Sequence, residues 1–146
     1  MIRKMKKDDL EETAKLLDAY RVFYKQESDY KKALQFLTER FEKQESIVFV
    51  AENNHQLVGF TQLYPLFETV VLNRVYLLND LYVDTNHRKQ GYGSALLQAA
   101  FDYGKSQQAS YVFLETARDN ITAQHVYKKN GMKLDDVFYY FYKGLK

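Results

Sequence analysis

The chain has 146 residues, of which 46% are hydrophobic, 16% aromatic and 27% charged, as in an ordinary globular domain. A net charge of +2 is too balanced to indicate a nucleic-acid partner, and the lack of cysteine excludes a disulfide scaffold, a thiolate zinc site and a cysteine nucleophile. No apolar run approaches the ~20 residues that a membrane span needs, and no apolar signal segment follows the basic N-terminus. We therefore expect a single domain over residues 1–146, cytoplasmic, with no nucleic-acid or membrane partner.

The first part of the chain predicts a strand followed by two helices. Residues 1–4 predict a short strand, and a helix is expected from Asp8 or Asp9, either of which can cap its first N–H groups. A second helix is expected after Ser28 or Asp29, because apolar residues then recur at helical spacing. That apolar stripe consists of Tyr30, Leu34, Leu37 and Phe41.

The pattern then changes to strands. Residues 47–51 and 57–64 predict the two strands of a hairpin that Pro65 ends. Residues 75–83 predict a further, strongly apolar strand, and a polar loop over 84–90 follows it.

The last part of the chain predicts a helix, a strand, a second helix and a final pair of strands. The second of these helices stops at Asn130-Gly131, which is typical of a left-handed helix end. The aromatic run 138–142 predicts a last strand that is buried on both faces. The expected bounds are 92–107, 111–114, 121–129, 132–134 and 137–142.

The resulting order, β-α-α-β-β-β-α-β-α-β-β, predicts an α/β fold (α+β by some schemes). We expect a mixed, mostly antiparallel twisted sheet of six or seven strands, with about four helices on both faces.

The most informative stretch lies where the apolar strand leaves through the polar loop and a helix begins at once. Exposed amides and the positive end of the helix dipole then meet at one point, an arrangement that binds phosphate. Gly91 and Gly93 allow the backbone to approach such a ligand closely. No Walker loop is present, and the dinucleotide fingerprint would need a glycine at position 96, where Leu96 stands.

Two segments resemble the motifs of the GCN5-related N-acetyltransferase (GNAT) family. Residues 88–93, Arg-Lys-Gln-Gly-Tyr-Gly, resemble its Arg/Gln-x-x-Gly-x-Gly/Ala acetyl-CoA loop. Residues 120–132 resemble its Asn-x-x-Ala-x-x-x-Tyr-x-x-x-Gly-Phe block, with Met132 in place of the final aromatic residue and no proline before Arg88. The resemblance implies the GNAT fold and transfer of an acetyl group from acetyl-CoA to a primary amine, by direct attack in a ternary complex.

The resemblance also implies roles for individual residues. A backbone N–H at a bulge near Leu81 or Tyr82 stabilises the acetyl oxygen, and the same splayed strand pairs with the pantetheine arm. Tyr127 is the proton donor to the departing thiolate, and Asn120 contacts the cofactor arm. The implied cofactor-binding residues are Leu81, Tyr82, Val83, Arg88, Lys89, Gln90, Gly91, Tyr92, Gly93, Ser94, Asn120 and Tyr127.

The group that deprotonates the attacking amine is less defined. Asn79-Asp80 interrupts an apolar strand where the family's diamine acetyltransferases read Glu-Asp, so Asp80 is our candidate base. Because Asn79 replaces the glutamate, both the base and a diamine acceptor stay open. A carboxylate bound to a neighbouring loop is the structural alternative for Asp80, and Glu115 is a second candidate base.

The acceptor pocket is implied between the first two helices, the strand end after Tyr64 and the last strands. An aromatic, partly acidic slot there suits an aliphatic amine or a lysine side chain, although ordinary amphipathic packing explains the same residues. We expect a small-molecule amine or polyamine; a protein or histone-type lysine acetyltransferase and a non-catalytic acyl-CoA-binding module are the alternatives. Its residues are Phe23, Tyr24, Glu27, Asn79 and Asp80, with Asp29, Tyr64, Phe67 and Glu68 as further candidates.

Two expectations concern other partners. The three histidines, His55, His87 and His125, lack metal-ligand spacing, so no metal is expected. The aromatic C-terminal strand suits pairing or swapping with a second copy, so we expect a homodimer.

Overall fold

The structure is a computed structural model that describes residues 1–146. The chain forms two compact units, Met1–Glu115 and Thr116–Lys146. The expectation of a single domain stays a prediction. The first unit holds β1 (Ile2–Lys4), α1 (Leu10–Phe23), α2 (Tyr30–Glu42), β2 (Ile47–Asn53), β3 (Gln56–Glu68), β4 (Asn73–Val83), α3 (Tyr92–Ser106) and β5 (Val112–Phe113), and the second holds α4 (Ile121–Lys129). No helix is long and apolar enough to cross a membrane.

The five strands form one mixed sheet in the order β1-β2-β3-β4-β5. Strands β1 to β4 pair antiparallel with their neighbours, and β5 runs parallel to β4. The turn between β2 and β3 consists of Asn54 and His55, both with positive φ, which suits a tight hairpin. The predicted mixed, mostly antiparallel sheet and its four helices are thus confirmed, with five strands instead of six or seven.

The difference in strand number lies at the C-terminus. The segments 132–134 and 137–142 form no strand, and the side chains of Phe138–Tyr142 are 73–88% exposed. The prediction of a last strand buried on both faces is therefore wrong for a single copy of the chain. Aromatic residues favour strands only where a neighbouring strand and a packing surface are present, and sequence alone does not reveal whether they are.

Pro65 also differs from expectation, because β3 continues through it to Glu68 and pairs Pro65 with Tyr76 of β4. The pairing of β3 with β2 stops at Leu63, so β3 has no strand on that side from Pro65 onward. A proline, which has no amide to donate, is tolerated at such an edge.

The core lies on both faces of the sheet. Along β2, Val48 and Val50 join the cluster with Leu17 of α1 and Leu37 of α2, while Ala51 joins Leu96 of α3. Because side chains alternate along a strand, α1 and α2 cover one face and α3 covers the other.

The predicted cap of α2 is confirmed: the Asp29 carboxylate accepts a hydrogen bond from the Lys32 amide at 3.1 Å. Asp9 has a different partner from the one expected. Its carboxylate does not cap α1 but accepts from the Lys6 amide at 2.6 Å and from the Arg3 guanidinium at 2.7 Å.

Candidate functional site

The polar loop after β4 is held in a defined conformation by its own hydrogen bonds. The Asp84 amide donates to the Val58 carbonyl at 2.7 Å, and the Asp84 carboxylate lies 3.0 Å from Nδ1 of His87. Arg88 donates through Nε to the Val83 carbonyl at 3.0 Å. These bonds tie both ends of the turn to the sheet, so the segment that leads into α3 has a fixed path.

Two residues of this loop have left-handed backbones. Lys89 has φ +62° and Gly91, the residue before α3, has φ +88°. A left-handed residue next to a right-handed helical one, as at Gly91 and Tyr92, turns successive N–H groups toward one side, which makes a concave site for an anion. The first intrahelical bond of α3 is donated by the Ala95 amide to the Gly91 carbonyl, and the residue before the helix provides no side-chain cap. The amides of Tyr92 and Gly93 come before Ala95, so they have no acceptor within the helix.

Gly93 provides the structural test of whether this loop suits coenzyme A. A Cβ built on Gly93 meets no protein atom within 4 Å, and Gly93 is not in the left-handed region. Neither steric crowding nor backbone conformation within the chain therefore requires glycine there, and a helix is more stable with alanine at such a position. The open space over Gly93, beside helix-terminal amides, leaves room for a bound diphosphate.

Strand β4 is open on one side beside this loop. Its pairing with β5 covers only Tyr76 and Leu77, whereas β4 itself continues to Val83. Leu81, Tyr82 and Val83 therefore have β3 on one side and no strand on the other. The family resemblance implies that the pantetheine arm pairs with this part of the strand, and the two strands diverge there as that pairing requires.

A β-bulge lies next to this open edge. Gln62 pairs with Asp80 and Leu63 pairs with Leu78, so Asn79 is an extra residue in β4. The bulge thus precedes Leu81 by two residues. The Tyr20 hydroxyl donates to the Asn79 carbonyl at 3.0 Å, which connects α1 to the bulge.

The bulge determines which face each polar residue of β4 occupies. The Asn79 residue is exposed and the Asp80 residue is buried, with 2% of its surface accessible. Asn79 Nδ2 donates to Oδ1 of Asp80 at 2.7 Å, and Gln62 Nε2 donates to Oδ2 at 2.6 Å. Ser46 Oγ in turn lies 2.8 Å from Oε1 of Gln62. Asp80 therefore belongs to a buried polar chain rather than to a neighbouring loop.

Burial raises the pKa of the Asp80 carboxyl above its ordinary value, while the hydrogen bonds from Gln62 and Asn79 act to lower it. Burial, and then the nearby Asp80, also raise the pKa of Tyr64. A carboxylate with a raised pKa holds a proton more firmly than an exposed one, which is the property that a general base requires.

Aromatic residues of α1 and β4 form one group beside the loop. The ring centroids of Tyr20 and Tyr24 lie 4.9 Å apart, and those of Phe23 and Tyr24 lie 5.3 Å apart. The Arg88 guanidinium carbon lies 5.8 Å from the Phe23 ring centroid and 5.6 Å from that of Tyr82. The expected acceptor residues Phe23 and Tyr24 and the expected cofactor residues Tyr82 and Arg88 are thus adjacent.

Other expected acceptor residues lie elsewhere. Phe67 and Glu68 pair with Arg74 and Asn73 at the start of β4, which places them roughly 20 Å along the strand from Asp80. They do not join the aromatic group within one copy, because β3 continues past Pro65 instead of turning back. Asp29 is occupied as the cap of α2.

Glu27 and Glu115 occupy exposed positions. The Glu27 carbonyl accepts from Arg21 at 3.2 Å, which fixes the segment after α1.

His55 lies in a hairpin turn and His125 on the exposed side of α4. No group of three potential metal ligands is close enough to hold an ion.

In the second unit, Asn120 and Tyr127 lie on α4. The Asn120 side chain caps the helix by accepting from the Ala123 amide at 3.2 Å. At the other end, the amides of Gly131 and Met132 donate to the carbonyls of Lys128 and Tyr127, with Gly131 at φ +89°. This is a Schellman motif, and it confirms the predicted helix end at Asn130-Gly131.

Comparison with known proteins identifies the class. The sequence matches the Acetyltransferase (GNAT) family over residues 10–132, and the chain belongs to that family. It is 41% identical over 140 residues, 96% of this chain and 94% of the relative, to the uncharacterized N-acetyltransferase YhfO of Bacillus subtilis. The chain is therefore an N-acetyltransferase.

Solved structures show the same architecture. The crystal structure of a probable acetyltransferase superposes with a TM-score of 0.93 at 32% identity, covering 100% of this chain and 98% of that one. The aminoglycoside N-acetyltransferase AAC(6')-Iy in complex with CoA has a TM-score of 0.85 at 19% identity over 98% of this chain and 93% of that one, which indicates a shared fold.

The residues that sequence reasoning missed are Gln62 and Ser46. A signal for Gln62 was present, because Thr61-Gln62 interrupts the apolar strand β3 as Asn79-Asp80 interrupts β4. Two polar interruptions in neighbouring antiparallel strands indicate a cross-strand pair, provided that the register is known.

Proposed function

We propose that this N-acetyltransferase uses acetyl-CoA and transfers the acetyl group to the primary amine of a small molecule, by direct attack in a ternary complex. The observation that carries the proposal is the open space over Gly93, beside the helix-terminal amides and the unpaired edge of β4. When bound, the cofactor supplies the acetyl thioester.

The chain's own groups would bind the cofactor in two places. The amides from Arg88 to Ser94 would hold the diphosphate, with the positive end of the α3 dipole favouring its charge. The backbone of Leu81, Tyr82 and Val83 would pair with the pantetheine arm in place of a neighbouring strand. A backbone N–H next to the bulge would donate to the acetyl oxygen as negative charge develops.

Proton movements would involve two side chains. Asp80 would take a proton from the attacking amine, directly or through a water, and its raised pKa supports that role. Tyr127 would give a proton to the departing sulfur, a role that its place in the Asn-x-x-Ala-x-x-x-Tyr block supports. Because holding two reactants together carries much of the rate, neither proton step accounts for the whole acceleration.

The acceptor would lie against Phe23 and Tyr24. Their rings attract a cationic amine, and Phe23 is 55% and Tyr24 45% exposed, so part of each ring is accessible to a ligand. Glu27 and Asn79 would add a carboxylate and a hydrogen-bonding amide. The fold is shared by the aminoglycoside N-acetyltransferase AAC(6')-Iy and by a ribosomal-protein-alanine N-acetyltransferase, so the choice of a small amine rests on the exposed rings of Phe23 and Tyr24.

Two measurements test this function. Calorimetry of the whole chain with acetyl-CoA is expected to show binding, and a thiol-release assay across polyamines, aminoglycosides, amino acids and lysine peptides is expected to show turnover with a small amine. Absence of acetyl-CoA binding by well-folded protein contradicts the cofactor assignment. Binding without turnover on any acceptor favours a non-catalytic acyl-CoA-binding module, and turnover on lysine peptides alone contradicts the small-amine assignment.

A further inference from the structure

Two consecutive main-chain carbonyls of β4 accept hydrogen bonds from side-chain hydroxyls. The Asn79 carbonyl accepts from the Tyr20 hydroxyl of α1 at 3.0 Å, and the Asp80 carbonyl accepts from the Thr61 hydroxyl of β3 at 2.8 Å. Both carbonyls lie at the bulge, where Asn79 has no partner residue in β3 and the regular ladder is interrupted. The two hydroxyls therefore constrain the peptides that the ladder itself holds least.

The fold keeps both hydroxyls in place. The Tyr20 ring meets Phe60 of β3 and Tyr82 of β4 edge to face, with ring centroids 6.3 and 6.5 Å apart. The Thr61 side chain is fully buried, and its branched Cβ restricts it to few rotamers. Turning either hydroxyl away from its carbonyl would break packing contacts, so the bulge has two fixed donors.

The hydrogen bond from Thr61 determines where the next amide points. Thr61 belongs to β3, so the Asp80 carbonyl that accepts from it points toward that strand. In a planar trans peptide the N–H lies opposite the C=O, so the Leu81 amide points to the other side of β4. On that side β4 pairs with β5 only at Tyr76 and Leu77. The Leu81 N–H is therefore directed into the gap between β4 and β5.

We propose that Tyr20 and Thr61 are positioning residues for acetyl transfer, whose hydroxyls hold the peptides on either side of Asp80 so that the Leu81 N–H donates to the acetyl oxygen. This role rests on the proposed use of acetyl-CoA. A donor stabilises developing negative charge best when it is already oriented, and a hydrogen bond weakens steeply as its angle closes. A rotation of either peptide would therefore weaken the bond to the acetyl oxygen.

The first test uses the chain without cofactor. Residues that face the partner strand alternate with residues that face away, so the Tyr82 amide faces β3 while the Leu81 amide faces the gap. Amide hydrogen exchange, followed by NMR, is expected to be fast at Leu81 and slow at Tyr82. The reverse order would overturn the assignment of Leu81 as the donor.

The second test observes the acetyl oxygen directly. Acetyl-CoA with an isotope label at the acetyl carbonyl is bound to the whole chain, and its C=O stretch is recorded by difference infrared spectroscopy. A weaker hydrogen bond polarises the carbonyl less, so the stretch is expected at higher wavenumber in Tyr20→Phe and in Thr61→Val than in the wild type. Thr61→Ser keeps the hydroxyl and is expected to restore the wild-type value.

The chain offers a matched control for each substitution. Tyr30→Phe removes a hydroxyl that reaches only the Glu11 carbonyl at 3.4 Å, and Thr13→Val removes a buried hydroxyl that has no hydrogen-bond partner. Both controls are expected to leave the C=O stretch at its wild-type position. An equal shift in the controls would show a general effect of packing and overturn the positioning role.

Kinetics give a third measurement, which needs an acceptor from the thiol-release assay. Tyr20→Phe and Thr61→Val are expected to lower kcat about tenfold or more, because the donor to the acetyl oxygen is displaced, while the KM for acetyl-CoA changes about twofold or less. An increase in KM with kcat unchanged contradicts a role in the transition state.

Calorimetry with acetyl-CoA on the same samples separates this role from the proposed function. If the wild type does not bind acetyl-CoA, both the function and this role are wrong. If it binds and the C=O stretch is the same in the wild type, Tyr20→Phe and Thr61→Val, the positioning role is wrong and the cofactor assignment stands.

Discussion

The side-chain amide nitrogen of Gln62 lies 2.6 Å from Oδ2 of Asp80, across two paired strands and with both residues buried. The orientation of the amide is fixed from its other end, where Ser46 Oγ lies 2.8 Å from Oε1. A donor aimed at a carboxylate favours its ionised form, so Gln62 offsets part of the effect of burial. The proton affinity of Asp80, which burial raises, is thus lowered in part by a residue that sequence motifs do not identify.

Gln62→Leu removes that donor and should raise the pKa of Asp80 further. Hydrogen bonds to charged groups contribute about 1.5–3 kcal/mol, so the acid limb of kcat/KM is expected to move about one to two pH units upward. A pH–rate profile measures the shift. Thr61→Val is the control: the Thr61 hydroxyl donates to the main-chain carbonyl of Asp80 at 2.8 Å, so its loss should cost stability and leave the limb in place. An unchanged limb in Gln62→Leu means that another group is titrating.

Asp80→Asn should lower kcat and remove the pH dependence that the Asp80 carboxyl gives to the free energy of unfolding. Because the pKa of Asp80 is raised in the folded state, the folded chain holds its proton more tightly than the unfolded chain does. Its favourable contribution to folding is complete below the unfolded pKa of about 3.9 and is lost as the pH rises through the folded pKa. Asparagine has no such loss, so the stability of the variant relative to the wild type in urea unfolding is expected to rise from about pH 4 upward. If the urea midpoints of variant and wild type differ by the same amount at pH 4 and at pH 8, the pKa of Asp80 is not raised.

Gly93→Ala and Gly59→Ala should have opposite effects. At Gly93 a Cβ meets no protein atom, so alanine is expected to leave stability unchanged or raise it by about 0.5–1 kcal/mol, and to weaken acetyl-CoA binding at least tenfold. At Gly59 a Cβ lies 2.8 Å from the Tyr82 carbonyl, so alanine should destabilise the β3–β4 pair. Thermal unfolding and calorimetry of the two variants give the comparison. Undiminished binding by Gly93→Ala would remove the observation on which the cofactor assignment depends.

Under the proposed role of the Tyr127 hydroxyl in proton transfer, Tyr127→Phe should lower kcat by about 10²-fold while acetyl-CoA affinity changes little. Steady-state kinetics and calorimetry separate the two quantities. Tyr30→Phe removes a hydroxyl that only reaches the Glu11 carbonyl at 3.4 Å, so it is expected to behave as wild type. If Tyr127→Phe keeps full kcat, another group or water protonates the sulfur.

Local signals in the sequence predicted most of the fold. The apolar stripe from Tyr30 to Phe41, the Asp29 cap and the Asn130-Gly131 stop are each determined within a few residues, and α2 and α4 form where those signals indicate. The same holds for the polar loop after β4, whose strand, turn and helix are contiguous.

Features that depend on distant partners were not predictable in the same way. Whether Pro65 ends a strand depends on where β2 stops, and whether residues 137–142 become a strand depends on an edge outside the segment. The faces of Asn79 and Asp80 depend on a bulge, because one extra residue reverses the alternation of side chains. Gln62 joins the candidate site only through the register of β3 against β4.

The divergence of β4 and β5 after Leu77 has a consequence for how ligand binding and folding are coupled. If the pantetheine amides occupy the gap, the ligand completes the hydrogen-bonded ladder as an additional strand would. Amide protons of β4 that face the gap would then exchange with solvent more slowly in the loaded enzyme, and the unfolding temperature would rise with ligand concentration. The hydrogen-bonded ladder along β4 therefore ends at Leu77 on the β5 side, and a bound pantetheine arm would continue it.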